Sequence, residues 1–275
     1  MPGNTKQLKS RIRSVNSTMH ITKAMELVAS SKMKRAQDRL EACRPYARAV
    51  KEIFSHLAEC ESVFTQQRPE NTVLLICIAG DRGLAGGYNN DVIKRLREFS
   101  SGRNVRTYPI GKKIREYCEN HGYELFDSSD SVEKFSLDES AGAGARIVNG
   151  YLAEEFDAVY ILYTEYQTLL SHEVRMQKLL PLERDDDPMI VREDILFEPD
   201  QETVLTAAVP EYLSGRIYGC VSECFSSELS ARRMAMDSAT KNASAMIDDL
   251  QLKYNRARQG AITQEITEII GGSGT

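Results

Sequence analysis

Tryptophan is missing from the 275 residues, and histidine occurs only as His20, His56, His121 and His172. The missing tryptophan excludes little. The scattered histidines exclude a clustered metal site, and the HExxH-like start at His172-Glu173 fails because Met176 stands where the second histidine belongs. Six cysteines (Cys43, Cys60, Cys77, Cys118, Cys220, Cys224) form no CxxC pair. They read as free thiols in a reducing compartment, and Cys220 and Cys224, one helical turn apart, read as core residues. No stretch approaches the roughly 18 uninterrupted apolar residues of a membrane span. The N-terminus has no apolar signal region, so secretion is not expected. Ser171, His172 and Glu173 are adjacent, and neighbours on a strand face opposite sides, so they make no triad. No residue set reads as an active site: no catalytic residue, no metal ligand and no cofactor are expected.

What the chain has instead is a seam. Alternating steps of four and three lead through Leu8, Ile12, Val15, Met19, Thr22, Glu26, Ala29, Met33, Ala36, Leu40, Cys43, Ala47, Val50, Phe54 and Leu57, and only Thr22 and Glu26 are not apolar. Such spacing over many turns predicts a helix lying along another helix. The first forty residues alone would make a rod of roughly 60 Å. Glu26 on the seam predicts a local register shift that puts Met25 or Val28 in the core position. Pro45 predicts a kink or a new helix near Arg44. Residues 1–50 carry a net charge of +8 against −5 for the whole chain, so a basic arm is joined to an acidic body. A basic face with Lys23, Lys32, Lys34 and Arg35 suits an acidic partner; nucleic acid is disfavoured by the missing aromatic interleaving.

After the polar stretch Gln66–Asn71 the pattern changes. The apolar run Val73–Ala79 reads as a strand covered on both faces. A helix over Asp91–Phe99, a strand over Val105–Ile110, a helix over Lys112–Asn120, a helix over Asp138–Glu155 and a strand over Ala158–Tyr163 follow, with Val174–Leu182 as an added edge strand. This alternation predicts a parallel or mixed sheet in a Rossmann-like α/β domain. The run Asp185-Asp186-Asp187 reads as a solvated loop. From about Pro199 the helical pattern returns. Ala243, Ile247, Leu250, Tyr254, Ala257 and Ala261 form a second seam, and Ile262, Ile266 and Ile269 continue it on a shifted face. Three segments are expected: a coiled-coil helix over 1–65, a central α/β domain over 72–198, and a coiled-coil helix over 199–275 that pairs antiparallel with the first.

The turn after the first strand, Gly80-Asp81-Arg82-Gly83-Leu84-Ala85-Gly86-Gly87-Tyr88-Asn89, sits where dinucleotide-binding folds cradle a phosphate. Its spacing is not GxGxxG, and Asp81 puts a carboxylate where the phosphate belongs. GxxxxGK[ST] is absent as well. The turn reads as a structural one, with Asp81, Arg82, Gly83, Gly86 and Gly87 as its working residues.

Several segments resemble one known family. Ile21-Thr22-Lys23-Ala24-Met25-Glu26-Leu27-Val28-Ala29-Ser30-Ser31-Lys32-Met33 closely resembles the N-terminal signature of the gamma subunits of F-type ATP synthases. Met234–Ala243 and Tyr254–Ile266 resemble the C-terminal part, and Asp81–Asn89 is similar to the family's DRGLxGG[FY]N turn. The likeness spans nearly the whole chain. It implies a non-catalytic central stalk whose terminal helices form an antiparallel coiled coil inside a ring of three alpha and three beta subunits. Its α/β domain would meet the epsilon subunit and the membrane ring of c subunits. Proton flow would turn this shaft, and the shaft would change the three catalytic pockets in sequence. The resemblance places Met25 and Lys23 near an acidic lever loop of beta, and Arg258 and Gln259 at a second beta loop. It also implies peripheral attachment at the cytoplasmic face of a bacterial plasma membrane, since no transit segment and no chloroplast-type cysteine pair are seen. Gly260, costing about 1 kcal/mol relative to Ala in a helix, would mark a close approach to the ring. The competing readings are a free-standing nucleotide-binding α/β protein with helical arms and a nucleic-acid-binding coiled coil using Arg11, Arg13, Lys32 and Arg35.

Overall fold

The computed structural model describes residues 2–57, 60–168, 171–183 and 197–272. The acidic run at 185–187 lies outside them. The elements are α1 (Pro2–Leu57), β1 (Thr72–Ile78), α2 (Tyr88–Ser100), β2 (Asn104–Ile110), α3 (Lys112–Asn120), β3 (Glu124–Leu125), α4 (Leu137–Leu152), β4 (Ala158–Tyr166), β5 (His172–Leu180) and α5 (Gln201–Gly272). Long helices at both ends and an α/β layer between them match the architecture expected from the terminal seams and the alternating strand and helix segments between them.

Of the kink or new helix expected near Arg44, the new helix does not form. α1 runs as one helix from Pro2 to Leu57 with Pro45 inside it. Pro45 is exposed, so the unpaired carbonyl one turn back can reach water. The cost of about 3 kcal/mol is offset by Leu40, Val50, Phe54 and Leu57, all buried nearby, each worth about 1.5–3 kcal/mol of apolar burial. Tyr46 adds a hydrogen bond from its hydroxyl to the Glu211 carbonyl at 3.2 Å. α5 likewise continues through Pro210. It starts where Asp200 accepts hydrogen bonds from the Thr203 backbone N–H and hydroxyl, both at 2.8 Å, a side-chain cap for the first turn.

The sheet has the order β3-β2-β1-β4-β5. β1 is parallel to β2 (Val73 opposite Val105) and to β4 (Val73 opposite Ala158), and β5 runs antiparallel to β4 at the edge. β1 is covered on both faces, as its unbroken apolar run requires: every residue from Val73 to Ile78 is fully buried. α4 opens on a capping box, with Ser136 and Glu139 each bonding the other's backbone, a reciprocal arrangement that satisfies two otherwise orphaned donors.

The chain divides into two compact units, Ser31–Ala231 and Met1–Ser30 with Arg232–Thr275. The first holds the sheet, its helices, the 31–57 part of α1 and the 201–231 part of α5. There α1 and α5 are antiparallel: the Phe54 ring stacks on Tyr212 with centroids 4.5 Å apart, and Cys43 lies beside Ser222. Cys220 and Cys224 are core residues, as expected. The second unit pairs the ends of the two helices. Its seam positions Leu8, Ile12, Val15, Met19, Thr22 and Ala29 on α1, and Ala243, Ile247, Leu250, Tyr254, Ala257 and Ala261 on α5, are all buried or half-buried.

Candidate functional site

The glycine-rich turn follows β1 at the point where β1 leads to β2 on one side and has β4 on the other. In open α/β sheets this crevice, at the carboxyl ends of the strands, is where ligands bind. Here the chain fills it with its own groups. Cys224 lies against β4, where the Thr164 N–H points to its sulfur at 3.2 Å. The Ser227 hydroxyl donates to the Thr164 carbonyl at 3.4 Å. Glu228 is almost wholly buried at 3% exposure, and a Cβ added at Gly80 would stand 2.7 Å from its carboxyl carbon. A side chain at position 80 would therefore force the Glu228 carboxylate to shift. Glu228 went unnoticed in the sequence because Ser226-Ser227-Glu228 looks like a solvated helix face. The small neighbours are its signal, since they let α5 lie directly on the strand ends.

The rest of the turn is a fastening. Asp81 accepts hydrogen bonds from the Ser131 hydroxyl at 2.7 Å, the Val132 N–H at 2.9 Å and the Glu133 N–H at 3.4 Å. The Asp81 carboxylate thus ties the turn to the connection between β3 and α4, and charge-assisted bonds of this kind are the stronger class. The Gly80 N–H donates to the Asn89 side chain at 2.9 Å, which in turn donates to the Arg82 carbonyl at 3.1 Å. Gly86 turns the chain at φ +60°, and Gly87 is the N-cap of α2. Gly83 and the Arg82 side chain are exposed, as is Leu84, which has φ +62° and 62% exposure. Tyr88 closes the arrangement: its hydroxyl donates to the Cys224 carbonyl at 3.0 Å, and burial pushes the phenol well above its ordinary pKa, so it remains a donor at neutral pH.

The residues expected to face partners, Lys23, Met25, Arg258 and Gln259, all belong to the helix-end unit. Lys23 is exposed and ion-paired with Glu26 at 2.9 Å. Met25 is half-buried. The register shift expected around Glu26 does not bring Val28 inside: Val28 is 57% exposed while Ala29 is buried at 1%. The seam keeps its spacing because Lys23 neutralises Glu26 and because the Thr22 hydroxyl meets that of Thr240 at 2.8 Å. Two polar residues on facing seams satisfy each other there, and neither has to leave the interface. Arg258 and Gln259 are exposed, and among the described residues neither side chain has a hydrogen-bond or ion-pair partner within the chain. Nothing stands within 4 Å of where a Gly260 Cβ would be. Apolar side chains are also left outside in this unit, with Ile262, Ile266, Ile269 and Ile270 between 43% and 71% exposed. Of the basic face expected to seek an acidic partner, Lys32 is already engaged within the chain, 2.5 Å from Glu133. Lys34 and Arg35 of the same face are exposed.

No group of His, Cys, Asp or Glu among the described residues is arranged to hold a metal ion. No helix among them is long and apolar enough to cross a membrane.

Known proteins place this arrangement. The family model described as ATP synthase matches residues 4–275. The chain is 41% identical to the ATP synthase gamma chain of Ruminococcus albus, covering 98% of each. It is 38% identical to the sodium-ion-specific ATP synthase gamma chain of Acetobacterium woodii, covering 99% of each. Among solved structures it resembles a chain of the central stalk and c-ring of Tetrahymena thermophila mitochondrial ATP synthase, with TM-score 0.63, 25% identity, and coverage of 80% of this chain and 99% of that one. It also shares its fold with a chain of the Euglena gracilis mitochondrial ATP synthase rotor, at TM-score 0.72 and 17% identity over 95% of this chain and 100% of that one.

Proposed function

Since the chain belongs to the gamma-chain family of ATP synthases, and so serves as the central shaft of that complex, we propose how its parts divide the work and which residues meet its partners. In this reading 1–65 and 199–275 form the axle, and 72–198 is the foot by which it is turned. The chain itself catalyses nothing. It sits inside a ring of alpha and beta subunits, joins the epsilon subunit and the c-subunit membrane ring at its foot, and attaches peripherally to the cytoplasmic face of a bacterial plasma membrane.

The observation that carries this reading is the contrast at the two candidate sites. The crevice where an α/β enzyme would bind its ligand is occupied by Glu228 and Asp81, while the side chains of Arg258 and Gln259 are exposed and, among the described residues, have no hydrogen-bond or ion-pair partner. A shaft can hold chemically identical pockets in different states only if it contacts each differently, because a partner of equal affinity for all states shifts nothing. One asymmetric pair of helices with outward donors meets that need. Arg258 suits a beta-subunit loop by its fork of donors, with Gln259 beside it. Met25 and Lys23 suit an acidic beta lever: an apolar side chain beside an exposed ammonium. The free-standing nucleotide-binding alternative fails at the filled crevice.

The experiment is reconstitution. Membranes stripped of their own gamma chain should recover ion pumping driven by ATP when this chain is supplied, and affinity capture should bring down alpha and beta in equal amounts, three of each per copy. Capture without alpha and beta, or micromolar ATP binding by the isolated chain in titration calorimetry, would refute the assignment.

A further inference from the structure

Within the Ser31–Ala231 unit, α1 is tied to the α/β layer by a small set of directed bonds. The connection between β3 and α4, residues 126–136, is held from one side by Asp81, as described. From the other side it is held by α1. Arg39 donates through Nη2 to the Phe135 carbonyl at 2.9 Å and through Nη1 to the Glu133 carbonyl at 3.4 Å. Its guanidinium also lies over the Tyr218 ring of α5, 4.5 Å from the centroid. Lys32, two turns earlier, reaches the Glu133 carboxylate at 2.5 and 2.7 Å. Arg39 thus touches α1's own helix partner and the α/β layer at once through its charged head.

We propose that Arg39 is the positioning residue that makes α1 turn together with the α/β domain; this rests on the shaft reading above. The apolar seam of α1 (Met33, Ala36, Leu40) is buried, but apolar contact is non-directional and roughly proportional to area, so it resists separation better than it resists sliding or twisting. Two carbonyl acceptors and an aromatic face fix the guanidinium plane in three directions. Only arginine offers a rigid planar fork that hydrogen-bonds and stacks together; lysine is a point charge on a flexible stem. The bracket also rests on backbone carbonyls of the connection that Asp81 holds at Ser131, Val132 and Glu133. A load on the connection therefore passes into α1 without depending on an exposed side chain as its acceptor.

The test uses the whole complex. Arg39→Met keeps the apolar stem and removes the donors and the charge; Arg39→Lys keeps the charge and removes the fork. Both are assembled with the remaining subunits in inverted membrane vesicles, and ATP hydrolysis and ATP-driven ion pumping are measured on equal amounts of complex. The expected result is hydrolysis within about twofold of the unmodified complex and pumping per ATP lowered about three- to tenfold in Arg39→Met, in keeping with the loss of charge-assisted bonds. Lysine should restore little of it. Lys134→Ala, an exposed change on the same connection, should leave the ratio unchanged. An unmodified ratio in Arg39→Met overturns the proposal. So does a parallel loss of hydrolysis, pumping and assembly in both variants, which would make Arg39 a folding residue only. If the unmodified chain itself restores no pumping, the shaft reading fails before Arg39 is in question.

Discussion

The two units bury their side chains differently. In the Ser31–Ala231 unit, the strand residues Val73–Ile78 and the helix residues Val92, Leu96, Ile114 and Ile147 have no exposure at all. In the unit made of the helix ends, the seam is closed only in part, and Ile21, Leu27, Val28, Leu252, Ile266 and Ile269 stand more than half exposed. Both are built from ordinary apolar residues, so composition does not separate them. Geometry does: a sheet sandwiched by helices can close on every side, whereas two helices cover only one stripe of each other. The first unit encloses its sheet on both faces, and the second leaves one stripe of each helix uncovered.

That contrast predicts where substitutions will be felt. The largest effect is expected at Gly111, whose φ is +105° and whose added Cβ would stand 2.0 Å from the Ala79 carbonyl oxygen. Gly111→Ala should cost more than about 3 kcal/mol, visible as a lowered midpoint in denaturant unfolding of the isolated chain; an unchanged midpoint would mean that the sheet unit is looser than its burial implies. Asp81→Asn weakens acceptors for three donors and should cost about 1–3 kcal/mol, with amide exchange at Val132 and Glu133 accelerated ahead of the rest of the sheet. Arg258→Ala should show the opposite pattern. The isolated chain should unfold within about 0.5 kcal/mol of the unmodified one, while capture of alpha and beta weakens by about tenfold, the equivalent of 1.4 kcal/mol. Normal ATP synthesis with this change would remove Arg258 from the contact.

A smaller, pH-dependent effect sharpens the comparison on the sheet side. Burial raises the Glu223 carboxyl above its ordinary range, against the lowering pull of the Tyr166 N–H and of Arg216. A carboxyl whose folded pKa is raised contributes stability that is full below the unfolded pKa and is lost as pH rises through the folded one. Glu223→Gln escapes that loss, so the variant should gain on the unmodified chain as pH climbs from acid toward neutral, by less than about 1 kcal/mol, read from thermal unfolding at a series of pH values. A gap that closes with rising pH would contradict the burial of Glu223. Smallest of all, Ile266→Ser on the exposed stripe should change the stability of the isolated chain by less than about 0.5 kcal/mol.

Much of the fold was legible because the 4-3 seam of the terminal helices and the short unbroken apolar runs of the strands are written plainly in the chain. Lys112–Asn120 appears as α3 with the same bounds, and Cys220 and Cys224 lie in the core. β1 begins and ends one residue earlier than its apolar run suggested. What was not legible depends on tertiary contact. The helix continues past Pro45 because Val50, Phe54 and Leu57 are anchored on the sheet unit, which local propensity cannot know. The strand Glu124–Leu125 is two residues long and carries no alternation to detect. At the turn, Asp81 was readable as a carboxylate in place of a phosphate, yet the three donors it binds come from residues fifty positions away. Glu228 was hidden for the same reason: its burial is decided by where α5 crosses the strand ends.

The filled crevice has a consequence for life beside a nucleotide-processing machine. An occupant tethered by the polypeptide acts at an effective concentration that a freely diffusing competitor seldom matches. Adenine nucleotides released next door would have to evict Glu228 from a helix whose neighbouring turns are themselves buried. Any nucleotide entering this crevice would have to displace both the Glu228 carboxylate and the Asp81 bonds to the β3–α4 connection.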